Sequence, residues 1–580
     1  MICQAVAVLL LLYFIPIVRA QSIEGLGVSG GSGPTGGIGD STNPVLDPRS
    51  FITDAYIPSD HKPNRQLAIG KAPISLSKWP SDTPESSLWN VTIDAEDGAR
   101  QEMLGFGHSW TDSAVIMFNT LESYVFKEVM EDLFGQNGNN MGFMRHTIGS
   151  SDLSEYQYSY DANAGKVDSD LSAFTLGSYG EQMAEMIAQM GDYKGDVFLL
   201  GSPWSYPGWA KNNHLFVAPG GASDSYSNNS FNTKYTKEMV EYFSKYIDAF
   251  QEKGVVVNAI TPMNEPLNWQ SGYPTMHLPS DDEADLIKKG LGTAMSKRNV
   301  SIFAFDDNTY ETTYPLDVLN QEHRHVDGVA WHCYQSPAAD YSVMDDIHDA
   351  FPNALQFMSE CSDYASVVNK VNFLVARNFI LPVHHGASAG SMWVMATNPE
   401  FGPHVSEGGC DECLGSIIVN SSTTYTKTND YYMVGHFSRY VRRGAVNYNI
   451  ITGNWGNVSS DDQFFLMAVK NPDKSWAVIF MNNMGVDKDV VLGFTGTSQK
   501  WRGTVPNETV VTWILPPFAG ESATPTTPSA ANTPASSTSS TSTSSKTASS
   551  TALGRNTMYK SSLQLSLYGV LILSTIAVLG

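Results

Sequence analysis

Two glutamates close apolar runs in this chain: Glu265 in NAITPMNEP and Glu360 in LQFMSEC, each behind a polar neighbour, Asn264 and Ser359. A carboxyl group at the end of a buried strand emerges at the rim of the sheet, where it can meet a ligand. Two such groups facing one another have a definite chemistry. With one protonated and the other ionised, about 5–5.5 Å apart, the pair can assist departure of a glycosidic oxygen and attack the anomeric carbon. The competing reading, surface residues at strand ends, weakens once the two are taken together with their neighbours.

Charge narrows what such a pair would act on. The 580 residues carry 35 basic and 59 acidic side chains, a formal net charge of −24, which repels nucleic-acid phosphates and favours neutral substrates. The apolar (42%), charged (16%) and aromatic (11%) fractions are those of a folded globular chain. A single core rarely grows beyond roughly 250–300 residues, so two domains are expected.

Other chemistries fail on spacing, and no metal or cofactor is expected. His323-Arg324-His325 and His384-His385 lack the spacing and third ligand of a zinc site and read as solvated surface histidines. Gly386–Gly390 fits G-x-S-x-G around Ser388, but SMWVMAT follows; that is a strand, where a nucleophile elbow needs a helix. Cys410-Asp-Glu-Cys413 lies in glycine-rich GGCDECLG with no second CxxC, which favours a local disulfide over a redox or zinc motif. With Cys333 and Cys361 it makes four thiols outside the leader, enough for two disulfides in an oxidising compartment. The pairing of Cys333 with Cys361 stays open.

The two ends carry addresses. Residues 1–20 are apolar and end Val18-Arg19-Ala20, the small-residue pattern of a signal-peptidase site. Residues 21–50 are Gly/Ser-rich and read as a flexible segment. Residues 521–550 are a Ser/Thr-rich stalk, and 551–580 hold a short polar spacer and an apolar tail with no basic residues after it. That is the pattern of a GPI-anchor signal rather than a membrane span. N-x-S/T triplets at Asn90, Asn228, Asn299, Asn420, Asn457 and Asn507 fit a secretory route. The expected protein is secreted and held at the cell surface or wall by a GPI tether.

What positions the two glutamates is a set of eight apolar runs, at 104–110, 141–148, 196–204, 257–266, 301–308, 326–334, 353–361 and 387–397. Helical patterns separate them, including TKEMVEYFSKYIDAFQEKG, in which Met239, Tyr242, Phe243, Tyr246, Ile247 and Phe250 make one apolar face. SDDEADLIKKG opens acidic and turns basic, as a helix dipole prefers. The fold class is therefore α/β, a (β/α)8 TIM barrel over residues 104–440, with its active site at the carboxyl ends of the strands. Asn264-Glu265 then ends strand four and Ser359-Glu360 strand seven; their spacing of 95 residues agrees with three βα units of roughly 31 residues each. Residues 441–520 change to alternating β runs joined by Gly/Asn/Asp turns, an appended antiparallel β-sandwich that residues 51–103 would partly join.

Several motifs carry a family resemblance: GFGHSWTDSA, MRHTIGSSDLS, LLGSPWSYPGWAK, MNEPLNWQSGYPTM, VAWHCY, FMSEC, GPHVSEGGCDECLG and VVTWILP. In this order, across residues 88–517, the chain resembles glycoside hydrolase family 30, specifically its fungal endo-β-1,6-glucanases. The resemblance implies Glu265 as general acid/base, Glu360 as nucleophile and Asn264 as a partner of the sugar 2-hydroxyl. It implies glucose-binding roles for Arg145, Asp152, Trp204, His332, Tyr334 and Trp393. A carboxylate that accepts from hydroxyls and indoles that lie against a pyranose face suit that task. His108, Trp110 and Trp269 depart from the family pattern; with both stretches expected near the mouth, a different chain-length or linkage preference is implied.

The implied activity is retaining, endo-acting hydrolysis of β-glucan polysaccharide without metal or cofactor. Two alternatives stay open: an exo-acting β-glucosidase or glucosylceramidase with the same catalytic pair, and a non-catalytic GPI-anchored glucan-binding wall protein.

Overall fold

The computed structural model describes residues 47–79, 88–219, 228–334, 340–453, 456–457 and 463–521. The expected leader, nearly all of the flexible segment and stalk, and the GPI signal lie outside the described residues.

Eight parallel strands close into a barrel: β1 (Gly105–Trp110), β2 (Phe143–Ile148), β3 (Phe198–Pro203), β4 (Ala259–Ile260), β5 (Ser301–Asn308), β6 (Gly328–His332), β7 (Leu355–Glu360) and β8 (Ala387–Val394). Strands covered on both faces read as continuous apolar runs, which is why each falls inside a run picked from sequence. β4 is the exception in length, its ladder ending at Ile260 rather than at Glu265.

The barrel interior is layered. Phe143, Leu200, Ala259, Phe303, Ala330, Phe357 and Ala389 form a buried plug in which Phe303 stacks on Phe357 with ring centroids 4.1 Å apart. Alanines beside the phenylalanines leave room for the rings. Side chains two residues further along a strand point the same way, so the next layer toward the carboxyl ends is Arg145, Ser202, Thr261, His332 and Ser359, all polar and buried. On β5 the same step would give Phe305. A register shift between Phe305 and Asp307 against β6, with positive φ at Phe305 and Asp306, turns the wholly buried Asp306 inward instead. This bulge supplies the polar layer with its anion.

The helix Thr236–Glu252 buries Met239, Tyr242, Phe243, Tyr246, Ile247 and Phe250. SDDEADL forms a helix, Ser280–Leu286, with Asp281, Asp282 and Glu283 in its first turn. Glu283, however, turns inward and accepts from the Tyr314 hydroxyl at 2.6 Å and the Phe305 N–H at 3.3 Å, so it braces the bulge of β5.

Two antiparallel sheets lie beside the barrel. Arg49–Asp54, Ala68–Ile69 and Ala99–Met103 pair into the sheet containing Gln463–Lys470, Trp476–Asn483 and Thr509–Leu515. Ile74–Ser75 and Trp89–Ile93 join Ile450–Gly453, Lys488–Phe494 and Lys500–Val505 in the other. Trp476, Trp513, Phe464, Phe480 and Leu492 fill the space between. Both sheets thus use strands from either side of the barrel sequence, which ties the sandwich to the barrel covalently at two places.

At the seam, Arg100 donates to His384 O at 2.6 Å and Gln101 to Val383 O at 2.8 Å. His384 Nε2 lies 2.6 Å from Leu466 O, and burial pushes its pKa down to about 4. His384 is therefore a half-buried joint between barrel and sandwich, not the solvated surface residue expected. Ser388 is buried within β8, and strand, not helix, follows it.

Candidate active site

Past Ile260 the chain runs to Asn264 and turns at Glu265, whose φ of 44° is left-handed, uncommon for a residue with a side chain. The turn is held by the Glu265 N–H donating to Asp306 O at 2.9 Å and the Asn268 N–H donating to Glu265 O at 2.8 Å. Glu265 consequently sits on a braced loop after β4, correcting the expectation that it ends the strand. Glu360 is the last residue of β7.

Asp306 organises what lies between them. Its Oδ2 accepts from Arg145 Nη2 at 2.7 Å, Ser202 Oγ at 2.8 Å and Thr261 Oγ1 at 2.8 Å; its Oδ1 accepts from Ser359 Oγ at 2.6 Å and lies 3.1 Å from His332 Nε2. The carboxyl is held far below the usual range: burial opposes its charge, but Arg145 and His332 outweigh it. Arg145 also donates Nη1 to Glu360 Oε2 at 2.5 Å and Nη2 to Asn264 Oδ1 at 2.6 Å. Tyr334 donates to Glu360 Oε1 at 2.9 Å. Each oxygen of Glu360 therefore has a donor, and the carboxylate is aimed.

His332 Nδ1 lies 3.2 Å from Glu265 Oε1, and Asn268 donates to Glu265 Oε2 at 2.7 Å. Burial lowers the pKa of His332, but Glu360, Asp306 and Glu265 raise it to about 10, so the ring is an imidazolium with a proton on both nitrogens. Burial raises Glu265 too, yet the hydrogen bonds from His332 and Asn268 bring it below its usual value. Burial pushes Glu360 up against the pull of His332 and Arg145. Glu265 and His332 thus face one another as a pair that shares a proton in the ligand-free site.

The mouth above is a cavity of about 570 Å³. Trp204 and Trp393 stack on each other at 4.7 Å, with the Arg145 guanidinium 4.7 Å from the Trp204 centroid, so each indole keeps at most one face for a sugar. Asp152 Oδ1 has no partner among the described residues; burial and then Glu360 raise this carboxyl to about 7. Asn264 Oδ1 accepts from Arg145, which turns its Nδ2 to the other side of the amide.

Of the nine residues singled out from sequence, Asp152, Trp204, Glu265, Tyr334, Glu360 and Trp393 line this mouth. Arg145, Asn264 and His332 are buried and reach it through hydrogen bonds, Arg145 to both Glu360 and Asn264, and His332 to Glu265. Oxygens of Glu265 and Glu360 and a nitrogen of His332 lie within 4.8 Å of one another, a donor set of the type that holds metals. Here both ring nitrogens face carboxylates and Glu360 carries the Arg145 cation, so the arrangement suits proton transfer better than chelation.

His108 and Trp110 are corrected. Both are fully buried and face away from the mouth: His108 Nε2 is 2.8 Å from Ser416 Oγ, and Trp110 packs on Phe118 and Phe134. Trp269 does line the mouth. Cys410 pairs with Cys413 and Cys333 with Cys361; the first disulfide lines the mouth and the second follows Glu360 directly. Asp306, Asp307 and Asn268 were missed. The rule that picked Glu265 and Glu360, a polar residue closing an apolar strand, applies equally to Asp306-Asp307 in SIFAFDDN.

The comparisons agree with this geometry. The family described as Glycosyl hydrolase family 30 TIM-barrel domain matches residues 103–441. Endo-1,6-beta-D-glucanase neg1 of Aspergillus fumigatus is 36% identical over 485 residues, covering 81% of this chain and 96% of that one. Endo-1,6-beta-D-glucanase BGN16.3 of Trichoderma harzianum is 35% identical over 82% and 96%. Lysosomal acid glucosylceramidase of Mus musculus is 25% identical over 68% and 79%. Among solved structures, the endo-beta1,6-glucanase BT3312 superposes with a TM-score of 0.68 at 20% identity, over 81% of this chain and 99% of that one.

Proposed function

The chain belongs to glycosyl hydrolase family 30, and from that membership we propose that it cleaves β-1,6-glucan internally by double displacement, with Glu360 as nucleophile and Glu265 as general acid/base. The observation that carries the reading is that an oxygen of Glu265 and an oxygen of Glu360 lie within 4.8 Å of one another. That suits the roughly 5–5.5 Å carboxyl separation of a retaining pair better than the roughly 6.5–9.5 Å of an inverting one.

Glu360, oriented by Arg145 and Tyr334, attacks the anomeric carbon while the C1–O bond to the leaving chain breaks. Glu265 protonates the departing oxygen. The proton it passes on is the one that the Glu265–His332 pair shares across the 3.2 Å contact, and the proton that Glu265 later takes from water restores that pair. In the second half Glu265 takes a proton from water, the water oxygen bonds C1, and the ester to Glu360 breaks. Asn264 offers its Nδ2 to the 2-hydroxyl, and Asp152 accepts from ring hydroxyls beside Trp393.

Both disulfides, and the exposed sequons Asn90, Asn228, Asn299 and Asn420, support a secreted enzyme. The tail pattern at 551–580 supports a GPI tether that keeps it beside wall glucan. Digestion of linear β-1,6-glucan with product sizing tests the activity. Oligosaccharides of mixed length are expected; glucose alone would mean exo action, and binding without new reducing ends would remove the enzymatic reading.

A further inference from the structure

The mouth has two aromatic zones of different depth. Trp204 and Trp393, after β3 and within β8, are 3% and 2% exposed. The loops after β4 and β5 carry Trp269 and Tyr310, 37% and 54% exposed, both lining the same cavity. We propose that Trp269 and Tyr310 form a platform for the leaving-group side of the glucan, binding the glucosyl units that depart when Glu265 protonates the linkage. The proposal rests on the activity put forward above and specifies where its substrate extends.

Direction comes from the chemistry. The sugar attacked at C1 lies toward Glu360 and the deep indoles. The oxygen protonated by Glu265 belongs to the next unit, which must therefore continue over the loops that carry and brace Glu265. Those loops are the ones bearing Trp269 and Tyr310, and β4 and β5 are neighbours in the barrel.

The platform is tied to the acid. Asn268, immediately before Trp269, holds Glu265 Oε2 at 2.7 Å and the Tyr273 hydroxyl at 2.9 Å. The Leu267 N–H donates to Asp307 Oδ2 at 3.2 Å and the Glu265 N–H to Asp306 O at 2.9 Å, lacing the two loops together. A ring placed here is fixed relative to the cleaved bond.

The linkage explains the need. A 1,6-bond adds a rotatable methylene carbon between rings, so the departing unit is conformationally freer than in a linkage through a ring carbon. Immobilising it costs more, and aromatic faces against sugar C–H groups can offset that cost. A cavity of about 570 Å³ is of the size that encloses drug-sized ligands and exceeds what one hexose requires.

The test is the cut pattern on a linear β-1,6-linked pentasaccharide labelled at its reducing end. The wild-type chain should release mainly labelled di- and trisaccharide. Trp269→Ala and Tyr310→Ala should raise labelled glucose relative to these at least fivefold, and Trp269→Phe should restore the wild-type pattern. The ratio is internal to one digest, so it does not depend on the fraction of folded enzyme. Patterns within twofold of wild type in both alanine variants overturn the platform alone. A wild-type chain that leaves the pentasaccharide intact overturns the activity, and the platform with it.

Discussion

Asp306 Oδ1 faces His332 Nε2 at 3.1 Å, which leaves the other ring nitrogen, Nδ1, turned to Glu265 at 3.2 Å. One buried anion thereby fixes the ring's orientation and helps keep it charged beside the acid. Asp306→Asn removes that charge while keeping shape, so His332 should lose its proton at lower pH. The alkaline limb of kcat/KM should move to lower pH, with kcat/KM down about a hundredfold at neutrality, the scale of losing one preorganised electrostatic contact. A pH–rate profile on β-1,6-glucan checks it; an unmoved limb would detach His332 from the proton delivery.

Tyr334 supplies one of the donors that keep Glu360 ionised. Tyr334→Phe should cost about 1.5–3 kcal/mol, the worth of a hydrogen bond to a charged group, or roughly 10–100-fold in kcat/KM. Loss of a donor to the carboxylate disfavours its charged form, so the acidic limb of the same profile should shift upward.

Much of this arrangement was legible in the chain, because strands buried on both faces must be apolar throughout and polar residues closing them must face the mouth. Glu265 and Glu360 were found in this way. The same rule points to the pair Asp306-Asp307, but a period of two assigns Phe305 to the interior, and only the bulge against β6 turns Asp306 inward. His108 and Trp110 were expected near the mouth from the place of their motif, which does not say which face of the strand each occupies. Every residue of β1 is buried, so alternation alone does not distinguish the inside of the barrel from the side packed on helices. His384 was misjudged because a polar residue at a seam between domains resembles one in solvent.

Glu283 makes stability depend on pH in a defined sense. Burial raises its carboxyl from 4.5 to about 7, so the folded state holds a proton that the unfolded chain releases. Between those values the folded state binds more protons, and its stability falls as pH rises. Glu283→Gln keeps an acceptor for Tyr314 and removes the titration. Unfolding midpoints from pH 4 to 8 should fall less steeply for the variant, with a gain at pH 8 of about 3 kcal/mol at most. Parallel curves would contradict the assignment.

Ser388 sits in a G-x-S-x-G pattern, yet its hydroxyl is buried in β8 and has no hydrogen-bond partner among the described residues. Ser388→Ala should leave glucan hydrolysis within a few-fold of wild type and the unfolding midpoint within a few degrees. Total loss of activity would reopen serine-nucleophile chemistry.

The central claim is that Glu360 forms a covalent glycosyl intermediate while Glu265 manages protons. Proton NMR of the anomeric signals in the first minutes of β-1,6-glucan hydrolysis tests it most directly. The β-anomer of the new reducing end should appear first and the α-anomer only later, by mutarotation. First appearance of the α-anomer would mean inversion and would contradict the roles assigned to both carboxylates.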